Sequence, residues 1–262
     1  MSDLLVLCYH GVSPTWQTPY AVTPERLTAQ VDALLRRGYR PATLRDAVGA
    51  PRGARTLVVS FDDALSSVRE HALPVLRDLG VPGTVFACSG WVGRDEPMRI
   101  GYDRWLGSPD ARELVSLGWK DLAVLRDAGW EVGSHSQTHR RLTSLADAEL
   151  SEELAGSRQE IEAHLGVDCR SVAYPHGAAD ERVVRAAREA GYVVACTAQG
   201  GLRSSDLLRI PRVVVLREDG PARMRVKTSP VARRLRGSAG LWRLIAPVYA
   251  GIGGGRGHRK SA

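Results

Sequence analysis

The chain has 262 residues, enough for one large α/β domain with a well-buried core. With 44% hydrophobic and 25% charged residues it has the composition of a soluble globular protein, and 6% aromatics argue against an extended base-stacking surface. The formal charge of +7 is uneven: ten of the 36 Lys and Arg residues follow Asp219 and none of the 29 acidic residues does, so the body is net −3 and the tail +10.

Leu4 to Cys8 reads as a first strand, ending at Tyr9-His10-Gly11-Val12. Thr23-Pro24-Glu25 opens a helix, with a hydroxyl cap, Pro at the first position and an acid in the first turn. Leu27, Val31, Leu34 and Leu35 form its apolar stripe and Gly38 ends it. A short helical turn near Leu44–Val48 comes next. The run Leu57-Val58-Val59-Ser60-Phe61 then reads as a buried parallel strand and stops at Asp62-Asp63. Two adjacent carboxylates there fit either a helix cap or a cation between them.

Ser66–Leu79 reads as a helix closed by Gly80, and Thr84–Ala87 as a strand. The aperiodic stretch from Ser89 to about Pro109, with Trp91, Met98 and Trp105, has the length of a lid or binding loop. Asp121–Ala128 is the next helix. Trp130–Gly133 is a strand that ends in Ser134-His135-Ser136-Gln137-Thr138-His139. A long amphipathic helix is expected over Ala146–Leu165, then strand Val172–Tyr174 ending at Pro175-His176-Gly177. Asp180 caps helix Glu181–Ala190, Val193–Thr197 is a further strand, and Arg212–Leu216 is the last.

At least six strand–helix alternations predict a parallel sheet, closed or nearly closed into a β/α barrel. The alternative, an open doubly wound sheet, lacks a glycine-rich loop after its first strand. Ligand chemistry in such folds sits at the C-terminal ends of strands. His135 and His139, four apart in a tight turn, can reach one ion. With a carboxylate from Asp62-Asp63 they form a His/His/Asp set that leaves coordination positions open, the mark of a catalytic metal. That donor set suits Zn²⁺ best, with Fe²⁺, Co²⁺ and Ni²⁺ remaining open.

Ser60-Phe61-Asp62-Asp63-Ala64, Ser134-His135-Ser136-Gln137-Thr138-His139 and Ala173-Tyr174-Pro175-His176-Gly177 resemble the motifs of the NodB-homology polysaccharide deacetylases, carbohydrate esterase family 4. Tyr9-His10-Gly11-Val12 is similar to the start of one branch. The resemblance covers roughly residues 4–216. It implies a distorted (β/α) barrel of the NodB-homology type holding one divalent metal on Asp63, His135 and His139, with Asp62 as general base. It further implies removal of N-acetyl groups from a carbohydrate, with Tyr174, Pro175, His176 and Gly177 binding substrate and a backbone N–H of that turn meeting the oxyanion.

Three departures from the pattern stand out. Ala64 replaces a glycine, which asks that its φ stay negative. The Ala173–Gly177 turn lacks an arginine, for which Arg209 or Arg212 is the expected substitute. Leu207–Leu216 holds no histidine, so the general acid is unassigned, with His10 and His176 as candidates for a supporting or acid role.

The related readings are a metal amidase acting on a non-sugar amide or imide, and a non-catalytic glycan-binding relative. We expect a catalytic domain over residues 1–220 and a basic, partly disordered tail over 221–262. The tail's charges, interleaved with Leu241, Trp242, Leu244 and Ile245, suit weak contact with a membrane surface rather than nucleic acid. Four cysteines without metal spacing, no signal segment and no apolar run of spanning length lead to the expectation of a cytoplasmic protein.

Overall fold

The alternation of apolar runs with amphipathic stretches resolves into parallel strands joined by helices. The structure is a computed structural model that describes residues 3–51, 53–99, 105–198 and 205–236. Its first half contains β1 (Asp3–Tyr9), β2 (Gly11–Val12), β3 (Ala21–Val22), α1 (Pro24–Leu35), β4 (Arg40–Pro41), α2 (Leu44–Val48) and β5 (Arg55–Phe61). A π-helical turn, Val68–Ala72, then runs into α3 (Leu73–Asp78), followed by β6 (Gly83–Ala87), α4 (Trp119–Asp127) and β7 (Glu131–Ser134). The rest contains α5 (Asp147–Leu165), β8 (Ser171–Ala173), α6 (Glu181–Glu189), β9 (Val194–Thr197), β10 (Ile210–Pro211), β11 (Val213–Val214), α7 (Pro221–Lys227) and α8 (Pro230–Arg236).

Parallel neighbours follow the order β10-β9-β8-β7-β6-β5-β1-β11, with β4 also on β5. The single last strand expected over 212–216 is instead two short pieces broken at Arg212. The first, β10, pairs with β9 and the second, β11, pairs with β1. Consecutive residues therefore extend both edges of the sheet, and the sheet is nearly closed into a barrel, as the alternation predicts.

Strand alternation sorts side chains into two layers. Leu5, Leu7, Leu57, Val59 and Phe61 face the helices. Leu4 and Val6 of β1, Val58 of β5, Phe86 of β6 and Cys196 of β9 face inward, where Leu44 and Ala47 of α2 join them. The Leu44 N–H bonds to Thr84 Oγ1 (3.0 Å) and the Arg45 N–H to Glu131 Oε2 (2.9 Å), both near the starts of their strands. Helix α2 thus plugs the N-terminal end of the barrel and leaves the C-terminal end for ligand.

The expected tail begins as structure. Arg233 of α8 is buried, donates to the Leu4 carbonyl (2.8 Å) and pairs with Asp3. Residues 237–262, which hold Leu241, Trp242 and the remaining tail residues named above, lie outside the described residues. All four cysteines are buried and unbridged. No helix among the described residues is long and apolar enough to cross a membrane.

Candidate metal centre

Val58, Ser60 and Asp62 fall on the inward-facing register of β5 and its continuation. The Asp62 N–H makes the last ladder bond, to the Tyr9 carbonyl (2.9 Å). The chain then turns sharply, with φ of +68° at Asp63 and +49° at Ala64. The expectation that Ala64 keeps a negative φ is therefore wrong: the turn bends left-handed so that both carboxylates converge on His135. Neighbouring backbone holds it, through Leu117 N–H to the Ala64 carbonyl and Ser66 N–H to the Val115 carbonyl, both 2.8 Å.

β7 delivers His135 to the same place. Its N–H bonds to the Ala87 carbonyl (2.8 Å), and Nδ1 lies 2.6 Å from the Ala173 carbonyl oxygen. A carbonyl only accepts, so Nδ1 carries the proton and Nε2 the lone pair. That Nε2 stands 3.7 Å from Asp62 Oδ2 and 3.7 Å from Asp63 Oδ1, while His139 Nε2 stands 3.6 Å from Asp63 Oδ1. Burial lowers the His135 pKa to about 4, against the opposing pull of Asp62. Burial and the neighbouring His176 lower that of His139 to about 3. Both rings are neutral near pH 7 and keep lone pairs.

Asp63, His135 and His139 each offer a ligand atom, all within 4.8 Å of one another. The 3.6–3.7 Å gaps are too long for hydrogen bonds. Ligands about 2.1 Å from a tetrahedral ion stand about 3.4 Å apart, so the three residues fit one divalent cation.

Beside them, Arg212 Nη1 and Nη2 donate to Asp62 Oδ1 (2.6 Å) and Oδ2 (2.8 Å), a bidentate pair with both partners buried. Burial alone would raise the Asp62 pKa, but Arg212 and His135 hold the carboxyl well below the usual range. Of the two arginines left open by the sequence, Arg212 is the one at the site. Arg209 bonds to the Ala179 carbonyl and Glu181 at the surface.

A cavity of about 380 Å³ opens over these groups, lined further by Cys8, His10, Tyr20, His176 and Gly177. His10 is one of three residues, with Cys8 and Asp62, whose side-chain polar atoms lie within 4.8 Å of one another. The His176 ring centroid is 4.7 Å from that of His139. Tyr174 and Pro175 do not line the cavity; the Tyr174 hydroxyl is turned into the core and bonds to the Leu208 carbonyl (3.1 Å). They shape the turn instead. Tyr174 N–H bonds to the Cys196 carbonyl and Gly177 N–H to the Tyr174 carbonyl. Pro175 has no N–H, and His176, at φ +57°, carries the remaining amide of the turn. Gly177, at φ +65°, lies so close to Ala198 that a Cβ would stand 2.2 Å from the Ala198 Cβ.

Two cavity residues with polar side chains, Cys8 and Tyr20, went unread in the sequence. Cys8, whose thiol donates to Asp62 Oδ2 (3.4 Å), follows Leu4 and Val6 on the inward register, a signal that strand alternation carries. Tyr20 sits on a loop without periodicity, and no sequence signal marks it.

A family model described as polysaccharide deacetylase matches residues 49–195. The poly-beta-1,6-N-acetyl-D-glucosamine N-deacetylase of Staphylococcus epidermidis is 21% identical over 211 residues, covering 75% of this chain and 68% of the relative. Among solved structures, a polysaccharide deacetylase from Bacillus cereus superposes with a TM-score of 0.72 at 22% identity, over 87% of this chain and 69% of that one. IcaB from Ammonifex degensii gives 0.72 at 24% identity, over 88% and 97%. At these identities the structural likeness shows the fold.

Proposed function

The chain belongs to the polysaccharide deacetylase family, and from that premise we propose that it is a metal-dependent hydrolase that removes acetyl groups from an N-acetylated sugar. The observation that carries the reading is the approach of His135 Nε2 and His139 Nε2 to Asp63 Oδ1, beside the Asp62 carboxylate clamped by Arg212.

A divalent cation held by Asp63, His135 and His139, most suitably Zn²⁺, supplies a Lewis acid for the amide carbonyl and acidity for water. Asp62 is the general base and takes the proton of the attacking water. Arg212, occupying both carboxylate oxygens, keeps it ionised and fixes its plane. The His176 N–H donates to the developing oxyanion in this reading. His10, near Asp62 on the cavity wall, protonates the leaving amine. Tyr20, 38% exposed at the cavity, offers an aromatic face to the sugar ring.

The Staphylococcus relative named for poly-beta-1,6-N-acetyl-D-glucosamine makes an oligomer of that sugar the first substrate to test. Acetate release should follow metal loading and vanish in Asp63→Ala. A protein that binds one ion per chain but releases no acetate from any N-acetylated sugar would overturn the reading. The basic residues after Asp219 favour weak contact with an anionic membrane. Vesicles containing anionic lipid should sediment the full chain, and equal sedimentation of a chain cut after Arg236, which keeps the buried Arg233, would remove that role.

A further inference from the structure

Both histidines of the metal centre sit on the turn 134–139, and that turn is unusual in its backbone. Ser136 has φ +64° and His139 φ +62°. Left-handed backbone costs a non-glycine residue roughly 1–2 kcal/mol, so surrounding structure must hold both residues there.

What holds the turn is one face of α5. Residues 153, 157 and 160 recur at helical spacing, and each bonds to the turn. Glu153 is buried, and its Oε2 accepts from the backbone N–H of Gln137 (3.0 Å) and of Thr138 (2.9 Å). Its Oε1 accepts from the Thr138 hydroxyl. Ser157 Oγ is 2.8 Å from Ser134 Oγ, which accepts the Ser136 N–H (3.1 Å). Glu160 accepts from the Gln137 side-chain amide (3.0 Å). Gly156 leaves room for that amide: a Cβ there would stand 2.6 Å from Gln137 Nε2.

Glu153 is the centre of this seam. Packing does not call for a carboxylate between Leu150 and Leu154 of the core, and a buried one is costly unless donors meet it. Here the three donors come from the two residues directly before His139. A charged acceptor holds amides more firmly than a neutral one.

We propose that Glu153 is a positioning residue of the metal centre, clamping Gln137 and Thr138 so that the His139 imidazole stands beside that of His135. The inference rests on the metal reading above. Without the clamp the turn relaxes toward ordinary backbone and His139 leaves its place.

The test is Co²⁺ titration of the metal-free protein, followed by the visible absorption of the bound ion. Glu153→Leu keeps bulk but removes both acceptor oxygens, whereas Glu153→Gln keeps one. The Leu variant should bind Co²⁺ about 10–100-fold more weakly, the scale of lost outer-shell support, with an altered spectrum. The Gln variant should recover most of the affinity. Thr138→Val, at an exposed position, probes the same clamp whether or not Glu153→Leu folds, and should weaken binding several-fold. Wild-type affinity and spectrum in the Leu variant, or in Thr138→Val should the Leu variant not fold, would overturn the clamp alone. A wild-type protein that takes up no Co²⁺ would overturn the metal reading and the clamp with it.

Discussion

Arg212 grips both carboxylate oxygens of Asp62 from the break between β10 and β11, at 2.6 and 2.8 Å. The two residues are 150 positions apart, yet the near-closure of the barrel makes them neighbours. The break itself serves the contact: the arginine lies where one piece of strand leaves β9 and the next joins β1. Its guanidinium also stacks over the Phe86 ring, 5.6 Å from the centroid. Removing one partner of a buried pair leaves an unpaired charge and costs roughly 3–5 kcal/mol. Arg212→Met should therefore lower the melting temperature sharply and cut kcat at least about 100-fold, the lower end of a general base's contribution. Arg212→Lys should rescue stability better than activity, because an ammonium cannot meet both oxygens in parallel. Denaturant unfolding and acetate release, measured on the same preparations, check both statements.

The metal centre should also stabilise the fold. A ligand that binds only the native state adds about 2.7 kcal/mol at a concentration 100-fold above its Kd. Chelation should remove about one divalent ion per chain, abolish acetate release and lower the melting temperature, with Zn²⁺ restoring all three. His135→Ala should show no such shift on chelation, since the ring that faces both carboxylates is gone. Equal melting of the wild type with and without chelator would contradict a bound native ligand.

Ala64 gives a prediction about the backbone. Glycine in a right-handed, buried position would cost roughly 1 kcal/mol in chain entropy and about 0.8 kcal/mol for the lost methyl group. At φ +49° the relief of left-handed strain offsets both. Ala64→Gly should thus stay within about 1 kcal/mol of the wild type by urea unfolding. Ala64→Val, with a branched Cβ in a left-handed and fully buried site, should be several-fold more damaging. A loss near 2 kcal/mol for glycine would argue for ordinary backbone there.

The parts of the candidate site that the sequence makes legible are local. An apolar run ending in Asp62-Asp63 and a histidine pair four apart need no long-range information, and their placement at the ends of parallel strands follows from the alternation of elements. The parts that did not read depend on distant register. Arg212 is legible only as one of two candidates: choosing it over Arg209 needs the split of the last strand, where five mostly apolar residues read naturally as a single strand over 212–216. Glu153 looked like one polar residue of an amphipathic helix, because nothing local says that its face meets backbone N–H groups 15 and 16 residues away. Ala64 misled because alanine ordinarily signals negative φ; contacts from Ser116 and Leu117 on another segment impose the turn.

The general acid is the last step to place, and two histidines line the cavity besides His135 and His139. His10 follows β1 on the inward register and lies against Tyr20, with ring centroids 5.3 Å apart. Its Nδ1 is buried without a hydrogen-bond partner among the described residues. His176 belongs to the Pro175–Gly177 turn, and burial with the nearby Arg141 lowers its pKa, which disfavours the protonated form an acid needs. The arrangement therefore points to His10. His10→Gln should reduce kcat by roughly 10²–10⁴-fold, the usual contribution of an acid–base group, while leaving metal content unchanged. His176→Ala, which keeps the backbone N–H, should lose much less. An aryl acetate ester, whose phenolate leaves without a proton, separates acid catalysis from a structural effect: His10→Gln should lose far less on it than on the sugar. An equal loss on both substrates would assign His10 to holding the cavity wall and return the acid role to His176 or to water.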